Sequence, residues 1–371
     1  MRPKPVAYFL CVVSLALIAI CPLILLTNQH IAAEAAPYKG ILTLWHITEW
    51  RTGGSSFEAF LSKRIKDFEA NYAYAFIELE SLTQEEAMQA LEAGKAPDMI
   101  SYSQGRNPGI TLQKLPAAGT IVPDTGEDAW PYTCGGYCML VNTDLLTGQG
   151  AELPESGWGL RPEPLIAAAQ HGVCFDAETG KSSLPALALH EYPESDEPNM
   201  STWGEPEPPE AILSIQPEKL DDGLEAFLHG EAAVLIASQR QLYEVEQAYQ
   251  RGESPSYFAY GIGGYTDMVQ MIGIASCDDE KKLSACVTFA RSLLSRSGQK
   301  KLEPMGTLPV IAGLEEDIYT EDECRRTMYT LLCESMAFPD TGDAQGLNNL
   351  AAKALGGEAS ALKELRAKLR N

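Results

Sequence analysis

Between Gly40 and Tyr102 the chain alternates short apolar stretches with longer periodic ones, and this alternation restricts the fold more than any other feature. Gly40 to His46 (GILTLWH) is short, apolar and partly β-branched, as a buried strand should be. Phe57, Phe60, Leu61, Ile65 and Phe68 recur at helical spacing, so Phe57 to Asn71 reads as a helix with one apolar face, N-capped by Ser55 or Ser56. Ala75 to Glu80 alternates apolar and acidic residues as a second strand. Thr83, with Glu86 three residues on, opens a helix through a capping box; it runs to Ala93 and stops at Gly94. Asp98 to Tyr102 (DMISY) is a third strand. Strands and helices in turn at these lengths predict βαβ units and a mainly parallel sheet, an α/β fold.

A chain of 371 residues is too long for one compact core, so two lobes are expected. Gly135 to Asn142 (GGYCMLVN) reads as a strand, and Thr143-Asp144-Leu145-Leu146 starts a new unit. Residues 151–163 and 192–209, rich in Pro, Gly and Glu, read as long loops of the second lobe. Leu220 to Phe227 and Arg240 to Gln250 read as helices around a strand at Ala232 to Ala237, and Tyr257 to Ala275 as two extended pieces around Gly263-Gly264. Asp279 to Ser297, Glu321 to Cys333 and Asn349 to Leu369 are expected to be amphipathic helices.

The N-terminus is a separate matter. Arg2 and Lys4 precede an apolar run from Val6 to Leu26, and positive charge stays on the cytoplasmic side, so the rest of the chain should be exported. Residues 1–36 read as a signal peptide or membrane anchor. Three fates remain open: cleavage after Ala33-Glu34-Ala35, lipid attachment at Cys21, or an uncut span. The length of the run favours a lipid anchor or a retained one.

A formal charge of −23, with no basic stripe, argues against nucleic acid as a partner. Of nine cysteines, Cys11 and Cys21 lie in the leader, and the odd number left lacks the close doublets of a zinc site or an even disulfide framework. No metal and no cofactor are expected. The chain has no nucleophile elbow, no HExxH, no phosphate-binding loop and no GxGxxG opening a helix, so no catalytic residue is assigned. Two carboxylates facing each other across a cleft, as a glycosidase needs, would leave no such signature.

Four segments, in order, resemble bacterial extracellular solute-binding proteins of the carbohydrate type (family 1, maltose-binding-protein-like), which serve ABC importers. They are GILTLWHITEW with the helix ending IKDFEANY; GKAPDMISYS; GGYCMLVNTDLL; and the run from FLHGEAAVLIASQRQLYEV through GYTDMVQMIGIA to FARSLLSRSGQKKLEPMGTLPV. The resemblance implies a periplasmic-binding-protein-like fold of type II, two α/β lobes joined by a hinge. Crossings are expected near Tyr137 to Asn142, near Gly263 to Met271 and after Leu308-Pro309-Val310. Residues 38–139 plus 268–312 would form the first lobe, and 140–267 plus 313–371 the second. It implies non-catalytic capture of a small solute, favouring a sugar, by lobe closure. It also implies ABC permease subunits as partners and an extracytoplasmic, membrane-tethered location. The stretch from Asp144 to Gly230 is short for the family, which keeps a second reading open: an anchored sensor or interaction module with a degraded pocket.

In open α/β sheets ligands sit beyond the carboxyl ends of the strands. That rule selects His46, Glu49 and Trp50 after the first strand, Tyr102 and Gln104 at the third, and Gln239 and Arg240 after AAVLIA. Tyr137, Tyr265 and Asp267 flank the crossings, and Trp203 sits in a second-lobe loop. Rings stack on the apolar faces of sugars, while carboxylates, amides and guanidinium groups bond their hydroxyls. Structural roles stand beside these. Trp45 reads as core, Trp50 equally as a lid over the hinge, His46 as a satisfied strand end, and Arg240 as an ion-pair partner on its own helix.

Overall fold

The computed structural model describes residues 38–47, 50–122, 126–148, 173–175, 183–191, 223–314, 329, 338–339 and 341–370. Elements are numbered over these residues. The first sheet begins with β1 (Gly40–Ile47), α1 (Phe57–Asn71), β2 (Ala75–Leu82), α2 (Gln84–Glu92) and β3 (Met99–Ser103). Both expected caps form. Ser56 accepts from the Ala59 N–H, and Thr83 and Glu86 close a full capping box. The helix α1 buries the predicted stripe, Phe57, Phe60, Leu61, Ile65 and Phe68.

The strand β1 lies between β2 and β3 and runs parallel to both. The chain therefore moves to one side of β1 after the first crossover and to the other side after the second. The carboxyl ends of β1 and β3 flank the point where that direction reverses, the usual ligand position in an open α/β sheet.

The sheet is completed from later sequence by β4 (Ala129–Cys134) and by β9 (Val269–Ile274), giving the order β2-β1-β3-β9-β4. The sequence analysis assigns no element between Tyr102 and Gly135, where β4 forms. Pro131 removes a backbone donor there and argues against a central strand. The structure resolves the conflict by putting β4 at the sheet edge, with β9 as its one neighbouring strand and a register shift between Pro131 and Thr133; beyond β9 only its last residue, Cys134, pairs again, in an isolated bridge to Leu308.

The second sheet is formed by β5 (Tyr137–Asn142), β6 (Val173–Phe175), β7 (Val234–Ser238) and β8 (Tyr257–Ile262), in the order β6-β7-β5-β8. Associated helices are α3 (Thr143–Gly148), α4 (Ser183–Glu191), α5 (Leu224–Leu228) and α6 (Gln239–Gln250). Later come α7 (Glu280–Leu293), α8 (Arg296–Gln299) and a 3-10 turn from Lys300 to Met305. The expected single helix from Asn349 to Leu369 is two, α9 (Ala344–Leu355) and α10 (Ala359–Arg370). Gly356-Gly357 breaks it: Gly357 adopts φ +90, a left-handed conformation that glycine reaches without steric cost.

Among the described residues, no helix is long and apolar enough to cross a membrane. The expected leader, the long loops and the helix expected from Glu321 to Cys333 fall largely or wholly outside them. Cys134, Cys138, Cys277 and Cys286 are reduced thiols, not joined in disulfides.

Candidate functional site

Among the described residues, the chain steps directly from one sheet to the other at 134–137 and at 262–269, and these two passages are bonded to each other. The Gly135 N–H donates to the Met268 carbonyl at 2.7 Å, and the Thr266 hydroxyl donates to the Gly135 carbonyl at 2.8 Å. The Tyr137 hydroxyl donates to Asp267 Oδ1 at 2.9 Å, and the Tyr137 and Tyr265 rings lie 6.1 Å apart. Tyr265 in turn stacks on Phe338 at 5.3 Å. Three of the expected site residues, Tyr137, Tyr265 and Asp267, thus form a buried brace along the strap that links the sheets.

At the carboxyl ends of β1 and β3 a second buried network gathers. His46 Nδ1 lies 3.0 Å from Ser101 Oγ, which lies 2.9 Å from the Tyr132 hydroxyl. Gln270 Nε2 donates to Ser101 Oγ at 3.0 Å and to the Ile47 carbonyl at 3.2 Å, while Ser103 donates to Gln270 Oε1 at 3.3 Å. Burial pushes the His46 imidazole down to about 4, against the opposing pull of the Glu58 carboxylate. The ring is therefore neutral at neutral pH. Burial raises the Tyr132 phenol well above its ordinary range.

Several expected ligand residues come close to the strap. Gln239 begins α6, its N–H donating to the Gly136 carbonyl at 3.0 Å. A Cβ built on Gly135 would lie 2.5 Å from Gln239 Oε1, so any larger residue there would push this amide aside. Gln239 is fully buried, yet neither end of its amide has a hydrogen-bond partner. The same holds for Trp50 Nε1 and Gln104 Oε1, on residues 3% and 2% exposed. Trp50 packs edge-on against Phe57 with centroids 4.9 Å apart, and the Gln104 N–H donates to the Val269 carbonyl at 2.9 Å. A buried polar atom without a partner costs on the order of 1–3 kcal/mol, so a group that supplied one here would be held strongly.

The remaining candidates divide. The Tyr102 hydroxyl donates to Glu127 Oε2 at 2.6 Å and its ring is fully buried; burial, reinforced by that carboxylate, raises its phenol far above the ordinary range. Arg240 pairs with Glu244 one turn along α6. Trp45 lies in the core. Glu49 and Trp203 lie outside the described residues. A groove of about 420 Å³, lined by Gly105, Asn107, Ile110, Leu112, Glu127 and Asp128, contains none of the expected site residues. No group of three or more His, Cys, Asp and Glu could hold a metal ion among the described residues.

Sequence reasoning missed Gln270 and Gln299. The Gln299 amide donates to the Tyr132 and Leu293 carbonyls at 2.8 Å each, and its Oε1 accepts from the Val310 N–H at 2.7 Å. This glutamine precedes G-T-L-P-V in the sequence, and its three bonds explain the spacing: it fixes the returning chain against the end of α7.

Several solved structures share this fold over most of the chain. The cyclic α-maltosyl-1,6-maltose binding protein of Arthrobacter globiformis matches with a TM-score of 0.61 at 14% identity, over 90% of this chain and 98% of that one. The fold is that of a periplasmic binding protein. The sugar-binding protein of Xanthomonas citri matches at 0.59 and 11% identity, over 89% and 96%. A Streptomyces glaucescens receptor, solved unliganded and with acarbose, matches at 0.57 and 16% identity, over 90% and 98%. No protein-family model and no curated protein sequence matches the chain.

Proposed function

We propose that this protein captures a small polyhydroxylated solute, a sugar or oligosaccharide, between two lobes, without covalent chemistry, and delivers it to the permease of an ABC importer. The observation that carries this reading is the set of buried, unpartnered polar atoms on Trp50, Gln104 and Gln239, the last two on residues whose N–H groups bond the strap between the sheets. Neutral donors and acceptors of this kind suit hydroxyl groups better than ions. The fold supports the reading, since the neighbours named above bind maltose derivatives, sugars or acarbose. In this reading residues 38–139 plus 268–312 form one lobe and 140–267 plus 313–371 the other. His46, Glu49, Trp203 and Arg240 complete the binding set, and the N-terminal segment tethers the protein outside the cytoplasmic membrane.

A second reading, an anchored sensor or interaction module, has its own support. Tyr102, Tyr137, Tyr265 and Asp267 are already bonded or stacked within the protein, which leaves fewer groups for a ligand.

Thermal unfolding against a panel of mono- and oligosaccharides, amino acids, polyamines and phosphates separates the two. A ligand at 100 times its dissociation constant adds about 2.7 kcal/mol and raises Tm by a few degrees. A saccharide hit is expected; silence across the panel, from a protein that unfolds cooperatively, rejects solute capture. Trp50→Ala should weaken saccharide binding by about 2 kcal/mol or more in titration calorimetry, and unchanged affinity would remove Trp50 from the site.

A further inference from the structure

Tyr243 stands on α6 one turn after Gln239, on the same helix face. Its ring meets three glycines from two distant segments of the other sheet's unit. A Cβ built on Gly53 would lie 2.6 Å from Tyr243 Cβ, and all three of its nearest atoms would belong to Tyr243. A Cβ on Gly54 would lie 2.8 Å from the Tyr243 hydroxyl oxygen, and one on Gly306 would lie 3.1 Å from its Cδ2. Gly306 also adopts φ +67, capping the 3-10 turn in the left-handed region.

The two glycine segments are bonded to each other. The Gly53 N–H donates to the Met305 carbonyl and the Ser55 N–H to the Pro304 carbonyl, both at 2.8 Å. Together they make a notch with no side chain on its floor, fitted to the Cβ and ring of one tyrosine. The notch loop is the loop that carries Trp50, and the helix that carries Tyr243 starts with Gln239.

We infer that Tyr243 and the Gly53-Gly54-Gly306 notch form a closing contact between the lobes, one that holds the Trp50 loop against the start of α6 before any ligand bridges them. The inference rests on the two-lobe reading above and adds to it a source of closure that belongs to the protein rather than to the solute. Seating Tyr243 and bridging by a ligand act in the same direction, so the contact pre-organises the closed state. Loss of a contact that lowers the closed population to about a tenth would raise an apparent Kd about tenfold.

The test reads lobe separation directly. Spin labels are introduced through unnatural amino acids at the exposed positions Lys63 on α1 and Gln250 on α6, and distances are recorded in the full chain without ligand. Tyr243→Ala and Gly53→Ala should both move the distribution to longer distances, the first by emptying the notch and the second by filling it. Tyr243→Phe should leave it unchanged, because the contact is ring against backbone. Both expanded variants should keep the wild-type far-ultraviolet circular dichroism. Distances unchanged in Tyr243→Ala and Gly53→Ala would overturn the inference, as would expansion in Tyr243→Phe equal to that in Tyr243→Ala.

Maltotriose serves as the ligand probe. If it binds, its Kd should rise about tenfold in Tyr243→Ala, and an unchanged Kd would again overturn the inference. Lengthened distances in a protein that binds no saccharide would uphold the closing contact while rejecting the sugar reading.

Discussion

His46 offers a sharp test of the buried network at the end of β1, because its protonation is coupled to folding with a known sign. In the folded protein burial holds the imidazole at about 4, against an ordinary value of 6.5. Above pH 6.5 both folded and unfolded states carry a neutral ring, and the group leaves stability indifferent to pH. As pH falls below 6.5 the unfolded chain takes up a proton that the folded state refuses, so stability drops. The loss levels off only near pH 4, where the folded ring also protonates. Between pH 7 and 5 this one residue should cost about 2 kcal/mol, from 1.36 kcal/mol per pH unit over the part of the window below 6.5.

His46→Asn keeps a polar atom near the position of Nδ1, 3.0 Å from Ser101 Oγ, but cannot titrate. It also loses the ring packed 5.4 Å from Phe57, so it should be less stable at pH 7 by about 1–3 kcal/mol. Urea unfolding of wild type and variant at pH 7, 6 and 5 measures both numbers. The variant should lose about 2 kcal/mol less than wild type on going from pH 7 to 5. Parallel losses would show that the imidazole is not held neutral by burial, and the account of the network would fail with it.

Gln299→Leu leaves the Tyr132 and Leu293 carbonyls and the Val310 N–H without their partner, and should destabilise the protein by about 2–4 kcal/mol in urea unfolding; a loss under ~0.5 kcal/mol would contradict the hub role. Cys286 is buried and its thiol is pushed up to about 12, whereas Cys277 is half-buried beside the start of α7. Iodoacetamide at pH 8 should therefore modify Cys277 in the native protein and Cys286 only after unfolding, as peptide mass mapping would report. Equal labelling of the two would place Cys286 outside the core.

The first sheet was legible because its signals are local. Capping at Ser56 and Thr83, the apolar stripe of α1 and the apolar run of β1 each depend on neighbours within one or two turns. The edge strand β4 was not, since Pro131 is tolerated at the sheet edge, where the one neighbouring strand, β9, lies 135 or more residues away in sequence. The break between α9 and α10 hinged on two glycines that an apolar periodicity spans without notice. At the proposed site, residue type and strand-end position selected Trp50, Gln104 and Gln239, whose side chains carry buried polar atoms without a partner. The same rule selected Tyr102, and position beside the crossings selected Tyr137 and Tyr265, yet their hydroxyls or rings are committed to Glu127, Asp267 and Phe338. Composition cannot separate a ring that awaits a ligand from one that braces a strap. Tyr243 gives no signal in the sequence, because the residues it meets include three glycines with no side chain to notice.

The placement of β9 also bears on how the protein is made. Until residue 269 has emerged, β3 has β1 on one side and nothing on the other, and β4 has no partner at all. A chain delivered N-terminus first must therefore complete β5, β7 and β8 while the earlier sheet still has an open edge. Such an edge recruits any extended segment within reach. The sheet begun first is finished last, and its raw edge persists for as long as the intervening residues take to pass.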